Sequence, residues 1–96
     1  MQGASTEKVV GGKLLRVKVE FDSKINKIQI TGDFFAHPED VIEKIENSLS
    51  GMRSDATESE IKAKVDDVIV KTNADIVGID AVAIARNLIK AIGDAR

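Results

Sequence analysis

Residues 11–40, GGKLLRVKVEFDSKINKIQITGDFFAHPED, decide the fold of this 96-residue chain. Apolar and polar residues alternate strictly from Leu15 to Asp22, a pattern that is typical of a strand with one buried face. Asp22–Lys24 then supplies a turn to a second strand, so this stretch predicts a β-hairpin. The residues expected to face inward are Leu15, Val17, Val19 and Phe21, with Arg16, Lys18, Glu20 and Asp22 on the opposite face.

The second strand is less regular than the first. Ile28, Ile30 and Phe34 share its inward face, but Ile25 is out of phase, which indicates a β-bulge or a longer loop near Asn26–Lys27. Gly32 in a strand-like pattern suggests a bulge or a close approach of two backbones. The alternation places Phe34 in the core and Phe35 on the wetter face. In the alternative interpretation the strand ends at Gly32 and both rings lie buried under the first helix.

Three helices are predicted after the hairpin. The first begins at Pro38, with His37 at its cap, and ends at Gly51. A capping box at Thr57–Glu60 begins the second, and Asp80 caps the third, which Gly93 ends. The expected inward residues are Val41, Ile42, Ile45 and Leu49 in the first helix; Ile61, Val65, Val68 and Ile69 in the second; and Val82, Ala85, Leu88, Ile89 and Ile92 in the third.

These elements predict an α+β fold, in which a small antiparallel sheet of two or three strands is covered on one face by three helices. The chain is expected to form a single domain, residues 1–96, with a flexible segment at 1–10. Whether Asp75–Ile79 adds a third strand is left open by its short apolar pattern.

Composition excludes several classes of function. The chain lacks cysteine, so disulfides and thiol chemistry are excluded, and its apolar runs are too short to span a membrane. A cytoplasmic location is the default expectation.

The charge is distributed unevenly along the chain. Residues 1–32 carry six basic and three acidic side chains, whereas residues 33–96 carry eight basic and thirteen acidic side chains. The basic segment is either a solvated face or a sheet surface that meets an acidic partner or a phosphate. Nucleic-acid binding is disfavoured, because no aromatic residues interleave a basic stripe.

No residue set indicates self-contained chemistry. His37 is the single histidine, so it can assemble neither a triad nor a metal site with other histidines or cysteines. Gly11-Gly12-Lys13 lacks the spacing of a phosphate-binding loop and serves best as a flexible lead-in to the strand, with a ligand-facing Lys13 as the lesser alternative. The helical acid pairs Glu39/Asp40, Glu43/Glu46 and Asp66/Asp67 are expected to be solvated. No catalytic or metal-binding residue is therefore predicted.

Three segments, GGKLLRVKVEFD, INKIQITGDFF and HPEDVIEKIENSL, resemble the small accessory domain of lipoate–protein ligases. The GDFF run before a Pro-Glu helix start carries most of the resemblance. It implies an accessory, non-catalytic subunit that completes a large catalytic subunit in a heterodimer. That partner would bind lipoic acid and MgATP, form lipoyl-AMP and transfer the lipoyl group to a lysine of a lipoyl acceptor domain. The chain itself is expected to bind no cofactor.

The partner-binding residues expected from alternation and motif together are Lys13, Arg16, Lys18, Gly32, Asp33 and Phe35. Their expected role is to order a loop of the partner and so gate its reaction. A generic protein-interaction adaptor unrelated to lipoate is the alternative that uses the same surface. An independent small hydrolase or a nucleic-acid binder is a third possibility, and no residue set supports it.

Overall fold

The computed structural model describes residues 1–9, 11 and 13–95, and over these residues it shows an α+β fold, as predicted. Five strands and three helices follow one another in this described part of the chain. Their bounds are β1 Gln2–Lys8, β2 Leu14–Phe21, β3 Ile25–Gly32, β4 Phe35–His37, α1 Val41–Leu49, α2 Glu58–Thr72, β5 Asp75–Val77 and α3 Ala81–Gly93.

The main sheet is antiparallel and has the order β1-β2-β3. The predicted hairpin is confirmed: alternate residues of β2 are buried, and Val17 lies opposite Ile30. The predicted bulge is confirmed as well, because Glu20 pairs with Lys27 and Phe21 with Ile25, which leaves Asn26 as the extra residue. One face of the sheet packs on α3 and α1, and α2 packs on both of these helices. The opposite face carries no helix in the described part of the chain.

Within the N-terminal segment 1–10, for which flexibility is expected, Gln2–Lys8 form the edge strand β1. The sequence QGASTEK is weak in β-forming residues, and tertiary contacts hold it in place instead. A Cβ atom at Gly3 would lie 1.8 Å from the carbonyl oxygen of Ala91, so glycine allows α3 to approach the strand closely. Glu7 accepts two hydrogen bonds from the guanidinium of Arg86 on α3. Val10, the last residue of the predicted segment, lies outside the described residues.

A second, two-stranded sheet joins β4 and β5, with Phe35 opposite Val77 and His37 opposite Asp75. Asp75–Val77 therefore forms a strand, but it pairs outside the main sheet. This ribbon also corrects the start of the first helix. His37 belongs to β4 and is not a helix cap. Pro38 lies in a turn, where its carbonyl oxygen accepts a hydrogen bond from Val41 N, so α1 begins three residues later than predicted.

The predicted capping box of α2 is confirmed. Thr57 Oγ1 accepts a hydrogen bond from the backbone N–H of Glu60, and the Glu60 carboxylate accepts one from the N–H of Thr57. Each residue thereby satisfies a backbone donor that the first helical turn leaves free. Ile61 and Val65 of α2 are fully buried, while Val68 and Ile69 are half-buried against the core.

The inward face predicted for α3 is partly wrong. Asp80 caps the helix as expected, since its carboxylate accepts from Ala83 N at 2.8 Å. Val82 and Ile89, however, are exposed, and Ile92 is half-buried. Because α3 packs against both the sheet and α2, its buried sector is wide and is centred on small residues that permit close approach. The buried positions are Ala81, Ala83, Ile84, Ala85, Asn87, Leu88 and Ala91.

None of the helices in the described part of the chain is both long enough and apolar enough to cross a membrane.

Candidate functional site

The GDFF run, residues 32–35, forms a tight bend where β3 ends. Asp33 N donates to the carbonyl oxygen of Leu14 at 3.0 Å, which closes the hairpin on the side opposite its turn. A Cβ atom at Gly32 would lie 2.0 Å from the same oxygen. The backbones of β2 and β3 approach so closely here that the position requires glycine. The prediction of a close backbone approach at Gly32 is therefore confirmed.

The two phenylalanines of this run differ in burial. Phe34 is half-buried and packs against the core, so the prediction that it belongs to the core is met only in part. Phe35 begins β4 with its side chain 73% exposed. The strand β3 does end at Gly32, but the alternative in which both rings are buried is wrong. The alternation of side chains across Phe34-Phe35 persists even though the strand does not.

Phe35 has an apolar neighbour that sequence reasoning missed. Val77 of β5 lies directly opposite it and is 56% exposed, so the two side chains form one apolar patch on the outer side of the ribbon. The inner side holds Ala36 and Ile76, which pack against the core. The only sequence signal for Val77 is the short apolar run Asp75–Ile79, which does not reveal its pairing strand.

Lys13 lies close to the same bend. A Cβ atom at Gly78 would lie 2.9 Å from Lys13 Cγ and 3.4 Å from Phe34 Cβ, so the stem of Lys13 and the side chain of Phe34 both lie against Gly78. Of the predicted partner-binding residues, the structure therefore brings together Lys13, Gly32, Asp33 and Phe35. We call these four residues and Val77 the corner. Gly12, which belongs to the motif before the strand, lies outside the described residues.

Arg16 and Lys18 lie on the uncovered face of the main sheet. They alternate along β2 with buried residues, and their cross-strand neighbours on β3 are Thr31 and Gln29. Arg16 is one row of paired residues from Gly32, and Lys18 is two rows beyond Arg16 on the same face. An open groove of about 840 Å³ lies farther from the corner, and its lining includes Lys18, Glu20, Lys27 and Gln29 but not Arg16. The six predicted residues therefore divide into an apolar corner and a basic sheet face.

Four of the six residues in the helical acid pairs make ion pairs or hydrogen bonds. Asp40, Asp66 and Asp67 form surface ion pairs with lysines four residues away on the same helix. Glu46 accepts a hydrogen bond from Ile30 N at 2.7 Å and so caps a backbone donor at the edge of β3. Glu43 is exposed. Across residues 1–9, 11 and 13–95, no three His, Cys, Asp or Glu side chains are placed together to hold a metal ion.

Among the described residues, the polar cluster around the buried Asn87 reaches the protein interior and also holds the fold together. Asn87 is fully buried, and its amide donates to Glu7 and to the carbonyl of Ala83 while it accepts from Ser5 Oγ. The hydrogen bonds from Arg86, together with that from Asn87, lower the pKa of Glu7, and the same contact raises the pKa of Arg86. Each of these side chains has a hydrogen-bond partner within the cluster. Because Ser5 and Glu7 of β1 thereby bind Arg86 and Asn87 of α3, we call these four residues the fastener between β1 and α3.

The comparisons with known proteins give a consistent result. The model of the family described as bacterial lipoate protein ligase C-terminus matches residues 6–88. One solved chain comes from a structural study of an archaeal lipoylation system, a bi-partite lipoate protein ligase and its E2 lipoyl domain from Thermoplasma acidophilum. It is 26% identical to our chain with a TM-score of 0.67, and the alignment covers 96% of our chain and 97% of the other. Among curated proteins, no sequence matches.

The fold and the site together define a small α+β domain that offers an exposed apolar corner and a basic sheet face. The family match extends over most of the sequence, including both strands of the hairpin, the corner, the first two helices and residues 81–88 of α3. The chain belongs to the lipoate protein ligase C-terminal domain family.

Proposed function

We propose that this chain is the accessory, non-catalytic subunit of a lipoate–protein ligase. In this proposal a large catalytic subunit binds lipoic acid and MgATP and forms lipoyl-AMP, which it transfers to a lysine of a lipoyl acceptor domain. Our chain completes that subunit as a heterodimer and is needed for the activation step. A cytoplasmic location is part of the proposal and rests on the sequence expectation alone.

The family match over residues 6–88 is the observation that carries this proposal. The archaeal chain supports it, since its study describes a bi-partite ligase and the two chains cover each other almost completely. Because 97% of that chain is covered, the similarity extends over its whole fold, which supports a matching role for our chain.

The corner is the surface that we assign to the large subunit. Phe35 and Val77 present adjacent apolar side chains to solvent, although the chain contains only three aromatic residues. Exposed aromatic side chains at the centre of an interface commonly supply most of its binding energy. Lys13 and Asp33 flank this apolar pair and fit the polar rim of such an interface. Docking here would order a loop of the partner over its adenylate and so gate the reaction, without adding a reacting group.

The test is reconstitution with the cognate large subunit. Lipoate-dependent release of pyrophosphate from ATP should be low for the large subunit alone and should rise when our chain is added in equal amount. This reaction requires no acceptor domain, so it reports activation alone. If our chain leaves the rate unchanged, the proposed function is wrong. Stable binding to a partner without any effect on adenylation would favour the generic adaptor instead.

A further inference from the structure

The cations of this chain fall into two groups. Six basic side chains lie within 4 Å of a carboxylate, and all six belong to residues 33–95: Lys44, Arg53, Lys62, Lys71, Arg86 and Lys90. Within the part of the chain that the structure describes, no basic side chain of residues 1–32 forms an ion pair. The positive charge of the N-terminal segment is therefore left uncompensated by the fold itself.

Arg16 and Lys18 occupy the middle of this uncompensated surface. They are two residues apart on the central strand β2, so both project from the uncovered face of the sheet. Their cross-strand neighbours are short or uncharged: Thr6 and Thr31 beside Arg16, and Ala4 and Gln29 beside Lys18. Glu20, the acid on this face of β2, lies two residues beyond Lys18 and opposite Lys27 in the strand register, without an ion pair between them.

The chemistry of this face differs from that of the corner. Around Arg16 and Lys18 it carries no aromatic residue, and the neutral side chains beside them are small or polar. Its large apolar side chain, Leu14, lies at the start of β2 next to the corner and is 39% exposed. The part of the face centred on Arg16 and Lys18 therefore offers no apolar anchor of the kind that holds a permanent interface. Uncompensated charge instead accelerates encounter with an oppositely charged surface and allows rapid release. A contact with these properties suits a partner that must arrive and leave at every turnover. It does not suit a permanent subunit.

We propose that the basic sheet face, centred on Arg16 and Lys18, recognises a carboxylate-rich surface on the lipoyl acceptor domain. This inference rests on the proposed function, since an acceptor domain is the protein that must bind and dissociate in each cycle of lipoyl transfer. The corner then holds the large subunit, while the sheet face steers the acceptor towards the assembled ligase.

The experiment compares lipoyl transfer by the reconstituted ligase with wild-type chain and with the double variant Arg16→Gln, Lys18→Gln. The double variant should raise KM for the acceptor domain about three- to tenfold and leave kcat unchanged. Raising the salt concentration should increase KM for the wild type more steeply than for the variant, because salt screens exposed charges.

Two controls make the result specific. Lys64→Gln removes an exposed, unpaired charge from α2, and it should leave KM for the acceptor unchanged. Pyrophosphate release without acceptor reports the proposed function, and it should be equal for wild type and double variant. An unchanged KM for the acceptor would overturn the inference, and so would an equal rise with Lys64→Gln. Weaker binding of the large subunit, or a raised KM for ATP, would also overturn it by assigning the face to the subunit interface or to a phosphate.

Discussion

Phe35 and Phe34 are neighbours in sequence, but we assign Phe35 to docking of the large subunit and Phe34 to packing against the core. Single substitutions should distinguish these two roles. Phe35→Ala removes an exposed ring, so it should weaken association with the large subunit at least tenfold and change the free energy of unfolding by less than about 0.5 kcal/mol. Isothermal titration of the two subunits and urea unfolding of the isolated chain measure the two effects. A large loss of stability with unchanged association would show instead that the ring supports the fold.

Val77→Ala should weaken the same association by a smaller factor than Phe35→Ala, since it shortens the neighbouring side chain of the apolar patch. Val70 provides a matched control: it is 77% exposed, lies near the end of α2 and is no part of the corner. Val70→Ala should leave the binding constant unchanged. Equal losses from the two valine variants would contradict the assignment of the corner as the docking surface.

Phe34→Ala should lower the free energy of unfolding by about 1–3 kcal/mol. Truncating a fully buried phenylalanine costs about 3–5 kcal/mol, and Phe34 is only half-buried against the core. Urea unfolding of the isolated chain measures this loss. A change of less than about 0.5 kcal/mol in the free energy of unfolding would show that the Phe34 ring contributes little to packing against the core.

Gly32→Ala should disrupt the corner because the new methyl group would lie 2.0 Å from the Leu14 carbonyl oxygen. The two strands must separate there, which should cost about 1–3 kcal/mol of stability and weaken docking of the large subunit. Gly93→Ala is the matched control, as nothing lies within 4 Å of the added Cβ at the end of α3. It should leave the stability unchanged or raise it slightly. Equal effects of the two variants would remove the steric argument.

At the scale of elements, the sequence predicts those segments whose structure is determined locally. The hairpin strands, the bulge at Asn26 and the caps at Thr57 and Asp80 follow from alternation and from side chains that hydrogen-bond the adjacent backbone. The strand β1 and the ribbon could not be predicted in this way. QGASTEK has weak β propensity, and the ribbon strands are three residues long, too short to show a period.

The same distinction explains the corner. Its glycine and the opposite orientation of Phe34 and Phe35 follow from the strand pattern. The pairing of Phe35 with Val77 depends on a contact between segments 42 residues apart, and no local signal encodes it. The misplaced face of α3 has a similar cause, because only packing against two neighbours determines which sector of that helix is buried.

The fastener between β1 and α3 should make stability depend on pH. Its contacts lower the pKa of Glu7, so its stabilisation is complete above the ordinary pKa of glutamate, about 4.3, and is lost as pH falls through the lower folded value. The charged groups facing Glu7 are Arg86 and Lys90, both cations. Glu7→Gln should therefore reduce stability at pH 7 and flatten its decline in acid, as measured by urea unfolding at several pH values.

Glu43→Gln serves as the control for the acid titration, since Glu43 is an exposed glutamate of α1 with no ion-pair partner among the described residues. Its stability should follow the wild-type profile. If Glu7→Gln retained the full wild-type decline between pH 5 and pH 3, other carboxylates would account for the acid sensitivity, and the contact with Arg86 would contribute little.

For the molecule as a whole, the fold distributes charge and apolar surface to different places. The helical half compensates much of its charge internally through ion pairs four residues apart, which sequence spacing alone can predict. The sheet half forms no ion pair with its cations among the described residues. Alternation in the sequence predicts that Arg16 and Lys18 lie on the uncovered face, and the topology adds that β2 is the central strand of that face. A molecule with both an apolar corner and an open basic face is suited to two simultaneous contacts of different lifetimes.

Binding of the large subunit should therefore stabilise the whole chain against unfolding. Free partner at 100-fold above Kd contributes about 2.7 kcal/mol, which corresponds to a rise in Tm on the order of 10 °C for a domain of this size. The chain contains neither tryptophan nor tyrosine, so brief proteolysis at increasing temperature, resolved by size on a gel, is a better probe than intrinsic fluorescence. Phe35→Ala should lose most of this shift, whereas Arg16→Gln with Lys18→Gln should keep it. An unchanged Tm at saturating partner would contradict docking, and loss of the shift in the charge variant would assign the sheet face to the large subunit.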